Sequence, residues 1–398
     1  MEKNNWTYFL IGGTLYQYNG RLYWLETWAR DVLAQVGLWK EVHVVCRYKP
    51  ISRLATNFLE IPTNIYFHTF PKRSLCRNIM HLLRALKPYL KKDFTIYEYS
   101  STSIESLLAF FFSRLLGEKR TVLTIDGPVE IIPFQSSIKL PNILWRVVLA
   151  ILRGMRKLAV SQSLAVIAIG KGVLYEIGIR DPLPEKILIV PLSLYSENEV
   201  VTEAEFEQLW KEKLSDNAFV VVCADRIAPE KGHFQLVQAV CRLAAEFSDI
   251  QTIIYGEGPA EKSLRKFIEQ NNLTNIIQLK GSVSYAELLR VFRKSDVVVN
   301  LTQSLDLNRA SVDAASQGAA VISSDLPGVR SFFNHGEDAY LVNPRDVNAI
   351  IQGLRVLKVS DTYRKTIAKN GLTKARQYTA EFTKSLRKEF ILSLCSDR

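Results

Sequence analysis

Short apolar runs rich in β-branched residues recur along the first half of the chain, at 8–11, 42–46, 64–67, 95–97, 121–125, 165–169 and 187–190. Between them lie stretches with apolar residues every three or four positions, at 22–36, 75–90, 104–116 and 143–158. The first pattern predicts buried strands and the second helices with one apolar face. Strand–helix alternation of this kind predicts a parallel sheet covered on both sides. Residues 196–215 interrupt it with Glu197, Glu199, Glu203, Glu205 and Glu207 and no strand-like run, which reads as a linker and a short helix. Alternation then resumes, with strands at 218–223, 251–255, 276–279, 297–301, 320–323 and 339–342. The predicted helices lie at 232–247, 260–271, 285–293, 309–317, 346–357, 361–377 and 380–392.

The expected fold class is therefore α/β, with two doubly wound, Rossmann-like domains over 1–195 and 196–376 and a terminal helix in 377–398. A length of 398 residues suits two domains of this size. Ligands of such sheets bind beyond the carboxyl ends of the strands, so two domains facing across a cleft would form a small-molecule site.

The bulk composition narrows the setting. The start of the chain carries Glu2 and only a short apolar run, unlike a secretory signal. No apolar stretch approaches the roughly 18–20 residues of a membrane-spanning helix. Five scattered cysteines (Cys46, Cys76, Cys223, Cys241, Cys395) show no metal-ligand spacing and read as free thiols. A cytoplasmic protein, with any membrane contact at the inner face, is the expectation. The net charge of +11 is uneven, with +9 in residues 1–200 and +2 in the rest. An acidic partner for the first half could be nucleic acid, anionic lipid or an acidic sugar chain. No nucleic-acid motif supports the first of these, and none is expected as a partner.

Three loops of the second half carry candidate chemistry. Asp225-Arg226-Ile227-Ala228-Pro229-Glu230-Lys231-Gly232 follows a strand and opens a helix. Two cationic arms beside a helix N-terminus suit a diphosphate, although a solvated basic turn reads the same way. Tyr255-Gly256-Glu257-Gly258-Pro259 also joins strand to helix, and its glycines allow either close backbone approach to a ligand or an ordinary tight turn. The segment 300–318 places Asp306, Asn308 and Arg309 at a helix entry and Asp313 about one turn further on. Asp306 reads either as a sugar or ribose ligand or as a helix N-cap.

In this order and spacing, the segments resemble the donor-binding half of family 4 glycosyltransferases of the GT-B fold. The resemblance runs from about residue 219 to 357. It takes in Arg226…Pro229-Glu230-Lys231-Gly232, Gly256-Glu257-Gly258-Pro259, Gly281, Ser295-Asp296-Val297-Val298, Asp313-Ala314…Gly318 and Gly336-Glu337…Leu341-Val342. It implies a nucleoside diphosphate sugar as donor substrate, with no cofactor or metal. Arg226 and Lys231 would grip the diphosphate and stabilise the leaving nucleotide. Gly256 and Gly258 would pass close to the nucleotide, Asp313 would bind ribose hydroxyls, and Asn308, Arg309, Ala310 and Ser311 would offer helix-entry N–H groups to phosphate. One departure is plain. The family has a glutamate eight positions before the residue at Asp313, where this chain has Leu305, and Asp306 stands one place later.

In the first half the resemblance is thinner. Gly12-Gly13 stands after the first strand, as the family's glycine-rich loop does, and Asn19-Gly20 is a second candidate that also reads as a plain turn. Asp126, at a strand end before Gly127, occupies a place where many relatives have histidine. It reads as a general base for the acceptor hydroxyl, as an acceptor-orienting group, or simply as a turn residue. Two basic amphipathic stretches, 73–92 (from Arg73) and 142–158 (with Trp145), fit either a solvated outer face or contact with an anionic membrane. The last helix resembles the family's terminal helix, which crosses back to the first domain. The activity implied is transfer of a hexosyl group to a glycan or lipid-linked acceptor. Alternatives are a nucleotide-sugar epimerase on the same fold, or a non-catalytic member that scaffolds a true transferase.

Overall fold

The computed structural model describes residues 5–54, 58–61, 64–72, 75–129, 141–215 and 218–396. Two compact units divide the chain. One is formed by residues 1–192 with 381–398, the other by 193–380.

The second unit is a six-stranded parallel sheet. Its strands are β10 (Phe219–Ala224), β11 (Ile250–Tyr255), β12 (Ile277–Gly281), β13 (Val297–Asn300), β14 (Ala320–Ser324) and β15 (Tyr340–Val342), in the order β12-β11-β10-β13-β14-β15. Numbered within the unit this is 3-2-1-4-5-6, the Rossmann order. The central strands β13 and β14 are buried at every residue, as expected of parallel strands covered on both faces. Helices α7 (His233–Leu243) and α12 (Val347–Val359) pack together, as do α10 (Arg309–Ser316) and α13 (Asp361–Ala375). The strand order reverses between β10 and β13, which places the loops 225–232 and 301–308 on either side of the switch point.

The first unit has a parallel run in the order β5 (Tyr66–Pro71), β3 (Glu41–Pro50), β1 (Thr7–Tyr18), β6 (Thr95–Ser100), β7 (Thr121–Ile125), β8 (Ala165–Ala168) and β9 (Ile187–Ile189). Helices α2 (Leu75–Leu86), α3 (Ile104–Leu115) and α4 (Asn142–Gln162) lie side by side, and one apolar core beneath them includes Leu82, Leu86, Phe110, Leu152 and Val160. Arg73 lies outside the described residues.

Two expectations for this unit are corrected. Gly12 and Gly13 do not follow the first strand. They sit inside β1 at a bulge, where the pairing with β3 slips between Ile11 and Thr14, and both take positive φ (134° and 83°). The stretch 22–36 is not one helix. Asn19 (φ 48°) and Gly20 (φ 80°) form a hairpin turn into β2 (Arg21–Leu25), and only α1 (Glu26–Leu33) is helical.

The terminal helix α14 (Ala380–Ser396) belongs mostly to the first unit. Arg387 donates to both carboxylate oxygens of Glu98 at 2.6 and 2.8 Å, and Lys384 pairs with Asp31. All but Asp31 of these four residues are buried, so their charges are matched away from water. Among the described residues no helix is long and apolar enough to cross a membrane. Cys46 and Cys223 are buried free thiols, and Cys241 is a half-buried one.

Candidate donor site and a second acidic site

Strand β10 ends at Ala224, and the next residue organises the loop. Asp225 Oδ1 accepts the Arg226 N–H at 2.7 Å. Its Oδ2 accepts the Asn308 amide at 2.6 Å and pairs with the Lys231 ammonium at 3.0 Å. One carboxylate thus ties the β10 loop to the entry of α10 across the switch point. Lys231 is only 16% exposed. Burial alone lowers its pKa, but Asp225, Asp306 and Glu230 reverse this, and the ammonium ends above its ordinary value. Arg226 is the outer cation, 44% exposed and paired with Glu230 one turn on. The structure therefore brings Arg226, Lys231, Asp306 and Asn308 to the carboxyl edge of one sheet, where a parallel α/β sheet binds its ligands.

Asp306 is not a helix cap. It accepts the Ser304 hydroxyl, and Asn308 caps α10 by accepting the Ala310 N–H at 2.9 Å. The Ser311 N–H goes to the Asn308 carbonyl at 3.2 Å. The N–H groups of Ala310 and Ser311 are therefore held within the helix entry. Arg309 reaches along α10 to Asp313 at 3.7 Å. Asp313 is 1% exposed and accepts the Tyr285 hydroxyl at 2.9 Å, so its carboxylate is fixed inside the unit.

The two glycines of the second candidate loop meet protein. A Cβ on Gly256 (φ 130°) would stand 2.0 Å from the Asp225 carbonyl oxygen, and one on Gly258 would stand 2.3 Å from that of Ile227. Their smallness lets the loop after β11 lie directly on the loop that holds Arg226 and Lys231. Gly232 (φ 70°) does the same against Leu301. His233 opens α7 at 1% exposure, and burial lowers its pKa, so it is neutral.

The first unit has an acidic site of its own at the carboxyl edge of its sheet. Asp126, just past β7, accepts the Thr102 hydroxyl at 3.0 Å and the Ser100 hydroxyl at 3.4 Å. Solvent reaches the carboxylate, yet protein surrounds it closely enough that lost hydration raises its pKa, against the Thr102 hydrogen bond and the field of Arg156. Gly12 lies against the same Ser100, and a Cβ there would make ordinary contact with Ser100 and Ser106 (3.5 and 3.6 Å). Gly13 is closed off by the Trp28 ring, 2.4 Å from a Cβ at that position. His43 and His68 are partners within the sheet, Nδ1 to Nε2 at 2.9 Å, and burial lowers both pKa values.

Sequence reasoning missed three side chains here. Asp225 was visible as the first residue past a strand. Tyr285, which opens a helix and holds Asp313, and Thr102, which lies in a turn and holds Asp126, are 28 and 24 residues from their partners and gave no local signal.

Two Rossmann-like units in one chain, with a terminal helix that returns to the first, are the architecture of the GT-B fold. Residues 205–374 match the family described as glycosyl transferases group 1. Among relatives, a 2-deoxystreptamine N-acetyl-D-glucosaminyltransferase of Niallia circulans is 26% identical over 147 residues, 37% of this chain and 38% of that one. The capsular polysaccharide biosynthesis glycosyltransferase CapM of Staphylococcus aureus is 25% identical over 228 residues, 54% of this chain and 58% of CapM. The matched stretches thus span well under two thirds of these relatives' own lengths. Among solved structures, HepE of Anabaena in complex with UDP superposes with a TM-score of 0.69 at 15% identity, covering 98% of this chain and 99% of HepE. The sucrose-phosphate synthase of Thermosynechococcus elongatus gives 0.73 at 15% identity over 99% and 100%.

Proposed function

We propose that the protein transfers a hexosyl group from a nucleoside diphosphate sugar to a hydroxyl of a glycan or lipid-linked acceptor, without a metal ion. One observation carries the reading: Lys231 is held at the switch point by Asp225, beside the exposed Arg226, in a loop that opens a helix. A diphosphate needs paired cations at such a place, and these two side chains supply them. They would take up the charge that develops on the departing nucleotide. Asp306, whose charge acts on Lys231, would accept a hydroxyl hydrogen bond from the sugar. In the first unit, a carboxylate with raised pKa is better matched to accept a proton from an acceptor hydroxyl at neutral pH than an ordinary aspartate. HepE, described with UDP bound, and relatives named as sugar transferases support a nucleotide-sugar donor.

The test is calorimetry with UDP and GDP in the presence of EDTA, followed by nucleotide release from UDP- and GDP-sugars with candidate acceptors. Binding of one nucleotide and acceptor-dependent release in EDTA are expected. Failure of both nucleotides to bind overturns the donor site. Release that stops in EDTA and returns with Mg²⁺ or Mn²⁺ overturns metal independence. Turnover of donor without acceptor indicates an epimerase, and binding without turnover a scaffold.

A further inference from the structure

The helix layer α2–α3–α4 presents an outward face whose composition differs from an ordinary solvated surface. On α4, Ile143, Val147, Ile151 and Leu158 are 73, 55, 57 and 49% exposed. Their spacing of four, four and seven keeps them in one row along a helix of 21 residues, opposite the buried Leu152, Arg156 and Ala159. On the neighbouring α3, Leu115 is 82% exposed and Phe112 43%. Single exposed apolar side chains are common, but a row of four on one helix with two more on the helix packed beside it marks a surface that meets something other than water.

The charges around the row have one sign. Arg146 and Lys157 on α4 and Arg77 and Arg84 on α2 are exposed. Helices α2 and α4 contain no aspartate or glutamate. The one acidic residue of α3, Glu105, is paired with Arg47 and mostly buried, and Glu118 just beyond α3 is 1% exposed. Among the described residues, no carboxylate of these three helices faces outward. An apolar row on helices that expose cations and no carboxylate is complementary to the interface of an anionic bilayer, where side chains enter the acyl boundary and cations meet phosphate headgroups. A protein partner would have to be acidic all round this row, and a second copy would bring two cationic rims together at a cost.

We propose that the α2–α3–α4 face docks the first unit on an anionic lipid surface, with α4 lying in the plane of the interface. The docking does not depend on the donor site. Its consequence for substrate, a membrane-borne acceptor, rests on the transferase reading above.

Co-sedimentation of the full chain with vesicles separates the two. Phosphatidylcholine vesicles carrying about one-third phosphatidylglycerol should bind the protein, and pure phosphatidylcholine should bind it at least about tenfold more weakly, with the difference lost in high salt. R146E/K157E should weaken binding to anionic vesicles by about tenfold or more, and V147S/I151S should weaken it while leaving some salt-sensitive attachment. Unchanged melting temperature and UDP affinity verify that the variants are folded; neither set touches the donor site. Equal binding of wild type and both variants, or no binding of the wild type to anionic vesicles, overturns the proposal. So does sedimentation showing a dimer that V147S/I151S dissolves without vesicle binding by the wild type, since the row would then join two copies of the chain.

Discussion

Replacement of Lys231 by methionine asks whether this side chain serves the reaction or only balances Asp225. Lysine and carboxylate sit 3.0 Å apart, each 16% exposed. Losing the ammonium leaves Asp225 with the Asn308 amide and the Arg226 N–H as its remaining donors. An unpaired, fully buried charge costs about 3–5 kcal/mol. With two hydrogen bonds kept and some solvent access, about 2 kcal/mol is the appropriate figure. For a unit of the size of 193–380 that lowers the melting temperature by roughly 4–8 °C. The second loss is in the reaction. Removing one preorganised donor to a developing anion costs on the order of 10²–10³ in turnover, about 3–4 kcal/mol. The double variant D225N/K231M distinguishes the two losses, because asparagine needs no counter-charge but grips no phosphate. Nucleotide release from the donor sugar and a thermal melt are the assays. K231M should lose both stability and turnover, whereas D225N/K231M should recover most of the melting temperature and none of the rate. Recovery of turnover together with stability would refute the argument and leave Lys231 as a structural counter-ion.

Asp126→Asn should lower turnover by roughly 10²–10⁴-fold while nucleotide binding stays unchanged, as isothermal titration would register. Because the folded environment raises the Asp126 pKa, wild-type turnover should fall in acid with a midpoint above the ordinary carboxylate range. The sign for stability is the reverse: ionised Asp126 is disfavoured in the fold, a cost present above the raised pKa and relieved as pH falls through it. Asp126→Asn should therefore raise the melting temperature at neutral pH and not in acid, as scanning calorimetry at two pH values would show. Gly256→Ala places a Cβ 2.0 Å from the Asp225 carbonyl at φ 130° and should destabilise the second unit by about 2 kcal/mol or more, read by denaturant unfolding. Glu98→Gln leaves Arg387 buried without its charge partner and should cost about 3–5 kcal/mol, read by the same method.

The second unit was legible nearly throughout, since its strands are compact β-branched runs and several of its helices carry side-chain caps, such as Ser284 and Asp346. Runs such as Val297–Asn300 lie within a residue or two of where the pattern places them. The first unit misled at its start because Leu22, Trp24-Leu25 and Trp28-Ala29 satisfy a helical period as well as they satisfy a hairpin arm. The pairing of Tyr16 with Tyr23 across the Asn19-Gly20 turn decides the matter, and that contact is not local to either segment. Arg226 and Lys231 could be found from sequence because loop, strand and helix are contiguous there. The role of Asp225 as the knot between two loops depends on Asn308, 83 residues away, and only the folded sheet brings that amide to it.

The path of the backbone also dictates an order of events during synthesis. The second unit opens at Ser193 and closes at Ala380, and its two ends are laced together: the Ala380 N–H donates to the Tyr195 carbonyl at 2.9 Å, and the Tyr195 hydroxyl to the Ala375 carbonyl at 2.8 Å. That unit can finish folding as soon as residue 380 is clear of the ribosome. The first unit begins to emerge earlier but is completed last, because Glu98 and Asp31 wait for Arg387 and Lys384 to arrive. A nascent chain cut short at residue 380 would hold a finished second unit beside a first unit with two stranded carboxylates, a lesion that quality control could read as unfinished work.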